Sequence, residues 1–193
     1  MIKNFKKNLN SHASVIKSLN KLFLLKKIER LAKDIIDTYK NNGKVIFAGN
    51  GGSFSDCLHL SAELTGRFKF DRAPLHSLVL GSNPSSMTAI SNDYNYNIVF
   101  KRELEAIADP KADLLICLST SGNSKNILSA MDYAKKNFIN SYVFCGKTQS
   151  RLGKNENSII IPSKDTARIQ EAYLLIGHMV IEEVEKNIFK DEK

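Results

Sequence analysis

The chain has 193 residues, of which 42% are hydrophobic and 25% are charged, a composition typical of one globular domain with a sizeable core. Its net charge is +8, but no segment interleaves basic with aromatic residues as single-strand nucleic-acid binders do. A solvated basic surface that attracts anionic metabolites is therefore favoured over nucleic-acid binding.

Hydrophobic periodicity predicts helix through residues 1–40, ended by Asn41-Asn42-Gly43. Short apolar runs then alternate with helical patterns. Strands are predicted over 44–48, 77–80, 113–118, 142–145 and 158–161. Helices are predicted over 55–66, 99–108, 124–137 and 166–189. This alternation predicts an α/β fold in a single domain over 1–193, with a five-stranded parallel sheet between helices (three layers, α/β/α).

Two glycine- and serine-rich loops follow the first and third predicted strands. They read Gly49-Asn50-Gly51-Gly52-Ser53 and Ser119-Thr120-Ser121-Gly122-Asn123-Ser124. Ligands of parallel sheets bind beyond the carboxyl ends of strands, where free N–H groups at helix starts receive anions. The first loop alone is explained by a tight turn that needs glycine. The second has more hydroxyls than helix capping requires, so the pair of loops predicts a phosphate cradle.

Two pairs of polar residues are candidates for chemistry. His59 and Glu63 are four apart, so on a helix they share one face and can meet at one metal or one substrate. Gln170 and His178 are eight apart, about 12 Å along a straight helix. Either the last helix is irregular near Gln170, or the two residues serve different copies of a site at a subunit interface. Spacing alone favours a core histidine at position 178.

Read in order, these motifs resemble the sugar isomerase (SIS) domain family and, within it, the sedoheptulose-7-phosphate (phosphoheptose) isomerases. The matching strings are Gly49-Asn-Gly-Gly-Ser53, His59-Leu-Ser-Ala-Glu63-Leu-Thr-Gly-Arg67, Asn92-Asp93, Ser119-Thr-Ser-Gly-Asn-Ser124, and Arg168-Ile-Gln170-Glu171 followed by His178. The resemblance implies a homotetramer that converts sedoheptulose 7-phosphate into D-glycero-D-manno-heptose 7-phosphate. That reaction is the first step of bacterial heptose biosynthesis for lipopolysaccharide or capsule.

The resemblance also implies roles for individual residues. It gives one zinc ion per subunit to His59, Glu63, Gln170 and His178, and the acid/base roles to Glu63 and His178. It assigns substrate contacts to Asn50, Gly51, Gly52, Ser53, Glu63, Asn92, Asp93, Ser119, Thr120, Ser121, Ser124 and Gln170.

The chemistry of an aldose–ketose isomerase agrees with these roles. A proton moves between adjacent carbons through an enediolate, which needs a base, a group that transfers the hydroxyl proton, and positive charge near the oxyanion. Glu63 suits the first role, His178 the second, and zinc the third. A carboxylate bound tightly to zinc is a poorer base. Glu63 therefore alternates between ligand and base, or the metal only stabilises the site.

Two other functions are compatible with the serine loops. The first is a non-catalytic SIS regulator resembling the DnaA-initiator-associating protein, but such relatives lack the full His/Glu/Gln/His set, so Glu63 favours an enzyme. The second is another sugar-phosphate isomerase, such as an arabinose-5-phosphate isomerase, and those often carry regulatory domains for which this chain has no room. The segments 54–58 and 146–154 differ within the family and are expected to influence sugar preference.

Cysteine usage predicts the compartment. Cys57, Cys117 and Cys145 have neither metal-type spacing nor a disulfide pattern, which fits a reducing cytoplasm. The sequence has no stretch approaching the roughly 18 consecutive apolar residues of a membrane helix, and its N-terminus lacks an apolar signal region. We expect a cytoplasmic protein with no membrane or nucleic-acid partner.

Overall fold

The computed structural model describes residues 1–146 and 149–190, so part of the 146–154 loop lies outside it. The five strands are β1 (Val45–Gly49), β2 (Ser77–Val79), β3 (Leu114–Leu118), β4 (Asn140–Cys145) and β5 (Ser158–Ile160). The helices are α1 (Ile2–Leu19), α2 (Leu22–Lys40), α3 (Gly52–Thr65), α4 (Pro84–Asp93), α5 (Val99–Ile107), α6 (Lys125–Lys136) and α7 (Thr166–Ile188).

The strands form one parallel sheet in the order β2-β1-β3-β4-β5, which confirms the predicted fold class. Strand order reverses between β1 and β3, which are paired from Val45↔Leu114 to Gly49↔Leu118. Such a reversal opens a crevice beyond the carboxyl ends of the two strands. Both serine loops leave the sheet at this crevice.

Both faces of the sheet are covered, and this explains why β1 and β3 are continuous apolar runs. Every residue of the two strands is buried. Side chains alternate between two cores: Phe47 and Ile116 face the layer of α2, α3 and α7, while Ile46 and Leu115 face α5 and α6.

Two local features differ from the sequence prediction. Residues 1–40 form two helices rather than one, because Asn20 ends α1 and Lys21 takes an extended conformation (φ −111°, ψ 129°) before α2. The helix α4 was not predicted, since it has no buried residue and therefore no apolar periodicity. The sequence feature that indicates α4 is its N-terminal cap. The Asn83 side chain accepts hydrogen bonds from two backbone N–H groups, and Pro84 occupies the first turn.

Helices α3 and α7 approach each other closely on one face of the sheet. A Cβ built at Gly177 would lie 2.4 Å from Cδ2 of Leu60, closer than any real contact, so only glycine permits this approach. A Cβ at Gly52, seven residues before His59, would lie 2.3 Å from Nε2 of Gln170. The two helices therefore run side by side in the same direction, and they carry the candidate catalytic residues.

Within the described part of the chain, no helix is both long and apolar enough to cross a lipid bilayer.

Candidate active site

The two serine loops turn on glycines in the left-handed region. Gly51 has φ +55° immediately before α3, and Gly122 has φ +66° between β3 and α6. Within the second loop, the Gly122 N–H donates to the Ser119 carbonyl at 2.9 Å. Ser124 occupies the N-cap of α6, yet its hydroxyl lies 3.1 Å from that of Ser119 and makes no capping bond. The hydroxyls of Ser119 and Ser124 therefore lie side by side at the start of α6.

A reciprocal amide pair joins the two loops. Asn50 donates to Oδ1 of Asn126 at 2.9 Å, and Asn126 donates back to Oδ1 of Asn50 at 2.8 Å. The Tyr96 hydroxyl donates to the same Asn50 oxygen at 2.8 Å. Asn50 therefore connects the first loop to the start of α6, in addition to any contact with a substrate. Sequence reasoning identified neither Asn126 nor Tyr96, and only the proximity of Asn126 to the second loop was a signal.

His59, Glu63 and His178 form a polar cluster between α3 and α7. Nε2 of His59 lies 3.2 Å from Oε1 of Glu63 and 3.2 Å from Nε2 of His178. One ligand atom from each residue lies within 4.8 Å of the others. His59 is exposed, whereas Glu63 and His178 are half-buried, so solvent reaches the cluster. The interpretation of His178 as a core histidine is therefore wrong.

The surroundings of His178 favour the neutral form of its imidazole. Burial, and then the nearby His59, lower the pKa of His178 below its ordinary value, and Glu63 opposes them. A neutral imidazole is the form that accepts a proton or binds a metal. The donor set of two imidazole nitrogens and one carboxylate is also one that zinc prefers in catalytic sites. The three side chains thus fit a zinc ion.

Gln170 lies apart from this cluster. Its amide covers Gly52 at the start of α3, whereas His178 meets His59 two turns further on. Helix α7 continues without interruption from Thr166 to Ile188, so an irregularity near Gln170 does not bring it closer. Eight residues of straight helix amount to about 12 Å. Within one chain, Gln170 therefore faces the first serine loop and not the His59–Glu63–His178 cluster.

Asn92 and Asp93 are exposed at the end of α4. The Asn92 amide donates to Asp93 Oδ1 at 2.9 Å. Among the described residues, no side-chain hydrogen bond connects either of them to the serine loops or to the histidines.

Three residues next to the His59–Glu63–His178 cluster were not identified from the sequence: Phe68, Arg72 and Glu185. The ring of Phe68 stacks on that of His178, with centroids 5.3 Å apart and planes 18° from parallel. Arg72 and Glu185 form a fully buried ion pair beneath the segment that carries Phe68.

Comparison with known proteins places this arrangement in a class. The family model for the SIS domain matches residues 9–140. A phosphoheptose isomerase of Sulfurimonas denitrificans is 44% identical over 169 residues, 87% of this chain and 86% of the relative. One from Aneurinibacillus thermoaerophilus is 41% identical over 170 residues, 88% of this chain and 85% of the relative.

Solved structures agree with the sequence relatives. A phosphoheptose isomerase from Francisella tularensis has a TM-score of 0.89 at 27% identity, covering 96% of this chain and 98% of that one. A phosphoheptose isomerase from Neisseria gonorrhoeae has a TM-score of 0.86 at 27% identity, covering 94% of this chain and 98% of that one. The chain belongs to the SIS domain family. Within that class, its similarity over most of both chains makes it a member of the phosphoheptose isomerase family.

Proposed function

We propose that this protein converts sedoheptulose 7-phosphate into D-glycero-D-manno-heptose 7-phosphate, the first step of bacterial heptose biosynthesis for lipopolysaccharide or capsule. The observation that carries the proposal is the solvent-accessible His59–Glu63–His178 cluster, formed between α7 and the helix α3 that begins at the first serine loop. His59 lies seven residues after the start of α3, about 10 Å along its axis. That length suits an extended heptose phosphate whose phosphate occupies the loops.

Glu63 and His178 divide the proton transfers between them. The Glu63 carboxylate takes the proton from C1 of the ketose and returns it to C2, so that one C–H bond breaks and another forms. The His178 imidazole moves the hydroxyl proton from O1 to O2, which leaves the carbonyl at C1. The serine loops hold the phosphate through backbone N–H groups and through the hydroxyls of Ser53, Ser119, Thr120, Ser121 and Ser124.

One zinc ion per subunit fits this site. His59, Glu63 and His178 would hold it, and Gln170 of a second copy would complete the set, since Gln170 lies too far away in the same chain. When bound, zinc supplies the positive charge that stabilises the enediolate oxygens.

We also propose a homotetramer with sites at its subunit interfaces, and the separation of Gln170 from the cluster supports sites shared between copies. Large apolar side chains along one side of α1 and at the start of α2 support it, because they are exposed in the single chain: Met1, Ile2, Phe5, Leu9, Leu22 and Phe23. All three cysteines are buried, and none of them forms a disulfide among the described residues, which supports a reducing, cytoplasmic location. Light scattering at micromolar concentration tests the assembly, and a fully active monomer would contradict sites shared between copies.

The decisive experiment follows aldose formation by NMR after adding sedoheptulose 7-phosphate to purified protein of measured zinc content. Glu63→Gln is assayed beside the wild type, and we expect it to lose turnover while keeping its assembly and its affinity for the sugar phosphate. Turnover near wild type in this variant would remove Glu63 as the base. If folded wild-type protein supplied with zinc is inactive, another sugar phosphate or the non-catalytic regulator becomes the better assignment.

A further inference from the structure

We propose that Phe68 is a positioning residue that fixes the imidazole of His178 for proton transfer, and that the buried Arg72–Glu185 pair holds Phe68 in place. The inference deepens the proposed function and rests on it for the role of His178. It concerns residues without a place in the chemistry itself, since a phenyl ring neither donates nor accepts a proton.

The Arg72–Glu185 ion pair fixes the backbone of the segment that carries Phe68. Nε of Arg72 lies 2.8 Å from Oε1 of Glu185, and both side chains are 0% exposed. The Glu185 carboxylate also accepts the backbone N–H groups of Phe68 at 3.0 Å and of Lys69 at 2.9 Å. A buried carboxylate with three donors is well satisfied and has one geometry. Glu185 on α7 therefore sets the backbone position of Phe68.

The Arg72 guanidinium also holds the C-terminal end of α3. It donates to the carbonyls of Glu63 at 2.7 Å, Leu64 at 2.8 Å and Gly66 at 3.1 Å. These carbonyls belong to the last turn of α3 and its cap, where intrahelical partners are missing. The rigid fork of a guanidinium suits such a set of acceptors. One side chain thus anchors both the turn that carries Glu63 and the segment that carries Phe68.

Phe68 transmits this anchoring to His178. Its ring covers one face of the imidazole, with centroids 5.3 Å apart and planes 18° from parallel. The His59 ring lies against the imidazole at 5.1 Å and 56°. Rotation of a histidine ring about its last side-chain bond is otherwise broad, so a stacked neighbour limits where the ring nitrogens can point. The ammonium of Lys69 lies 4.7 Å from the Phe68 centroid, a cation–π contact with the same ring.

The consequence is a specific kinetic defect when the stack is lost. A mobile imidazole transfers the O1 proton to O2 more slowly, whereas Glu63 still removes the C1 proton. The enediolate then takes a proton back at C1 more often before product forms. In D₂O this returns ketose that carries deuterium at C1, and the ratio of exchange to isomerisation rises. Binding of the phosphate group at the serine loops is unaffected.

The test compares Phe68→Leu with Phe68→Tyr and Phe70→Leu. Leucine keeps apolar bulk without a stacking ring, and tyrosine keeps the ring. Phe70 lies in the same segment but packs edge-on against Phe189 at 6.5 Å, so its substitution is the matched control. For Phe68→Leu we expect kcat to fall about tenfold to hundredfold with KM unchanged. We also expect a raised exchange ratio, while the two other variants stay near wild type.

NMR of the imidazole protons gives a readout independent of turnover. The chain has four histidines, so the His178 resonance is assigned from a His178 variant. Phe68→Leu should move this resonance, because the ring-current shift from the phenyl ring is lost, and Phe68→Tyr should not. An unmoved resonance, or a kcat loss shared equally by Phe70→Leu, would overturn the proposal. Failure of the wild type to isomerise the heptose phosphate would contradict the proposed function, and the resonance would still report on the stack.

Discussion

Replacing Gly177 with alanine should force apart the two helices that carry the candidate catalytic residues. The new Cβ would lie 2.4 Å from Cδ2, 2.7 Å from Cδ1 and 3.1 Å from Cγ of Leu60. Ordinary carbon contacts are about 3.5–4 Å, so the helices must separate by about 1 Å unless Leu60 moves. Leu60 is only 3% exposed, and the cavity beside it measures about 20 Å³, too little for a displaced side chain.

The effect on stability is a difference of two terms. Alanine favours helix over glycine by up to about 1 kcal/mol. Overpacking a closed core costs about 1–3 kcal/mol. We therefore expect a net loss in the free energy of unfolding of about 0–2 kcal/mol, so the variant folds.

We expect zinc affinity to be affected more than stability. His178 directly follows Gly177 in the chain, and His59 directly precedes Leu60, so separating the helices moves both histidines. Metal sites tolerate about 0.2 Å in ligand distances, and a 1 Å displacement exceeds that tolerance. Zinc affinity, measured by competition with a chelating dye, should fall at least about tenfold, the order seen when groups that orient metal ligands are lost.

The matched rescue variant is Gly177→Ala with Leu60→Val, which withdraws the clashing atoms. Leu60→Val alone removes one buried methylene group, worth about 0.8 kcal/mol. In the double variant we expect zinc affinity to return towards wild type, a coupling that independent sites would not show. Wild-type affinity in Gly177→Ala, or no recovery in the double variant, would refute the argument from helix separation.

Three further perturbations test other parts of the structure. Among the described residues, Oδ2 of Asp56 is buried without a hydrogen-bond partner, and burial raises the pKa of this carboxyl to about 6. The folded state then binds more protons than the unfolded state between about pH 4 and 6, so stability falls as pH rises through that window. Asp56→Asn should therefore raise the urea midpoint of metal-free protein at pH 7 but not at pH 4, and equal changes at both would contradict this. Glu185→Ala leaves the Arg72 guanidinium buried and unpaired, which should cost about 3–5 kcal/mol in urea unfolding, and a loss below about 1 kcal/mol would show that the pair is solvated. Ser119→Ala with Ser121→Ala should raise KM for the sugar phosphate with little change in kcat, and an unchanged KM would remove this loop from phosphate binding.

The sheet and its two loops were predictable because their signals are local. Strands buried on both faces are short apolar runs, and the turns after β1 and β3 require glycine and small hydroxyl residues. The break at Asn20 was not predictable from periodicity, since apolar residues recur at helical spacing on both sides of it. Helix α4 gave no periodic signal because none of its residues is buried.

From spacing alone the site was predictable only where its residues share one element, and the family resemblance supplied the grouping of His59 and Glu63 with His178. His59 and Glu63 could be paired because they are four apart on one helix. The contact between His59 and His178 joins positions 119 residues apart, and nothing in the spacing indicated it. The Arg72–Glu185 pair was missed for the same reason, because the choice of a buried ionic partner is a tertiary property.

The contact between α3 and α7 also has a consequence for the life of the protein in a cell. A zinc ion shared by His59 and His178 would act as a cross-link between segments 119 residues apart in sequence. Its binding energy then adds to the folding energy, by about 2.7 kcal/mol when free zinc is a hundred times its dissociation constant. Zinc starvation would therefore lower the amount of the protein through unfolding and proteolysis, in addition to inactivating the molecules that remain folded.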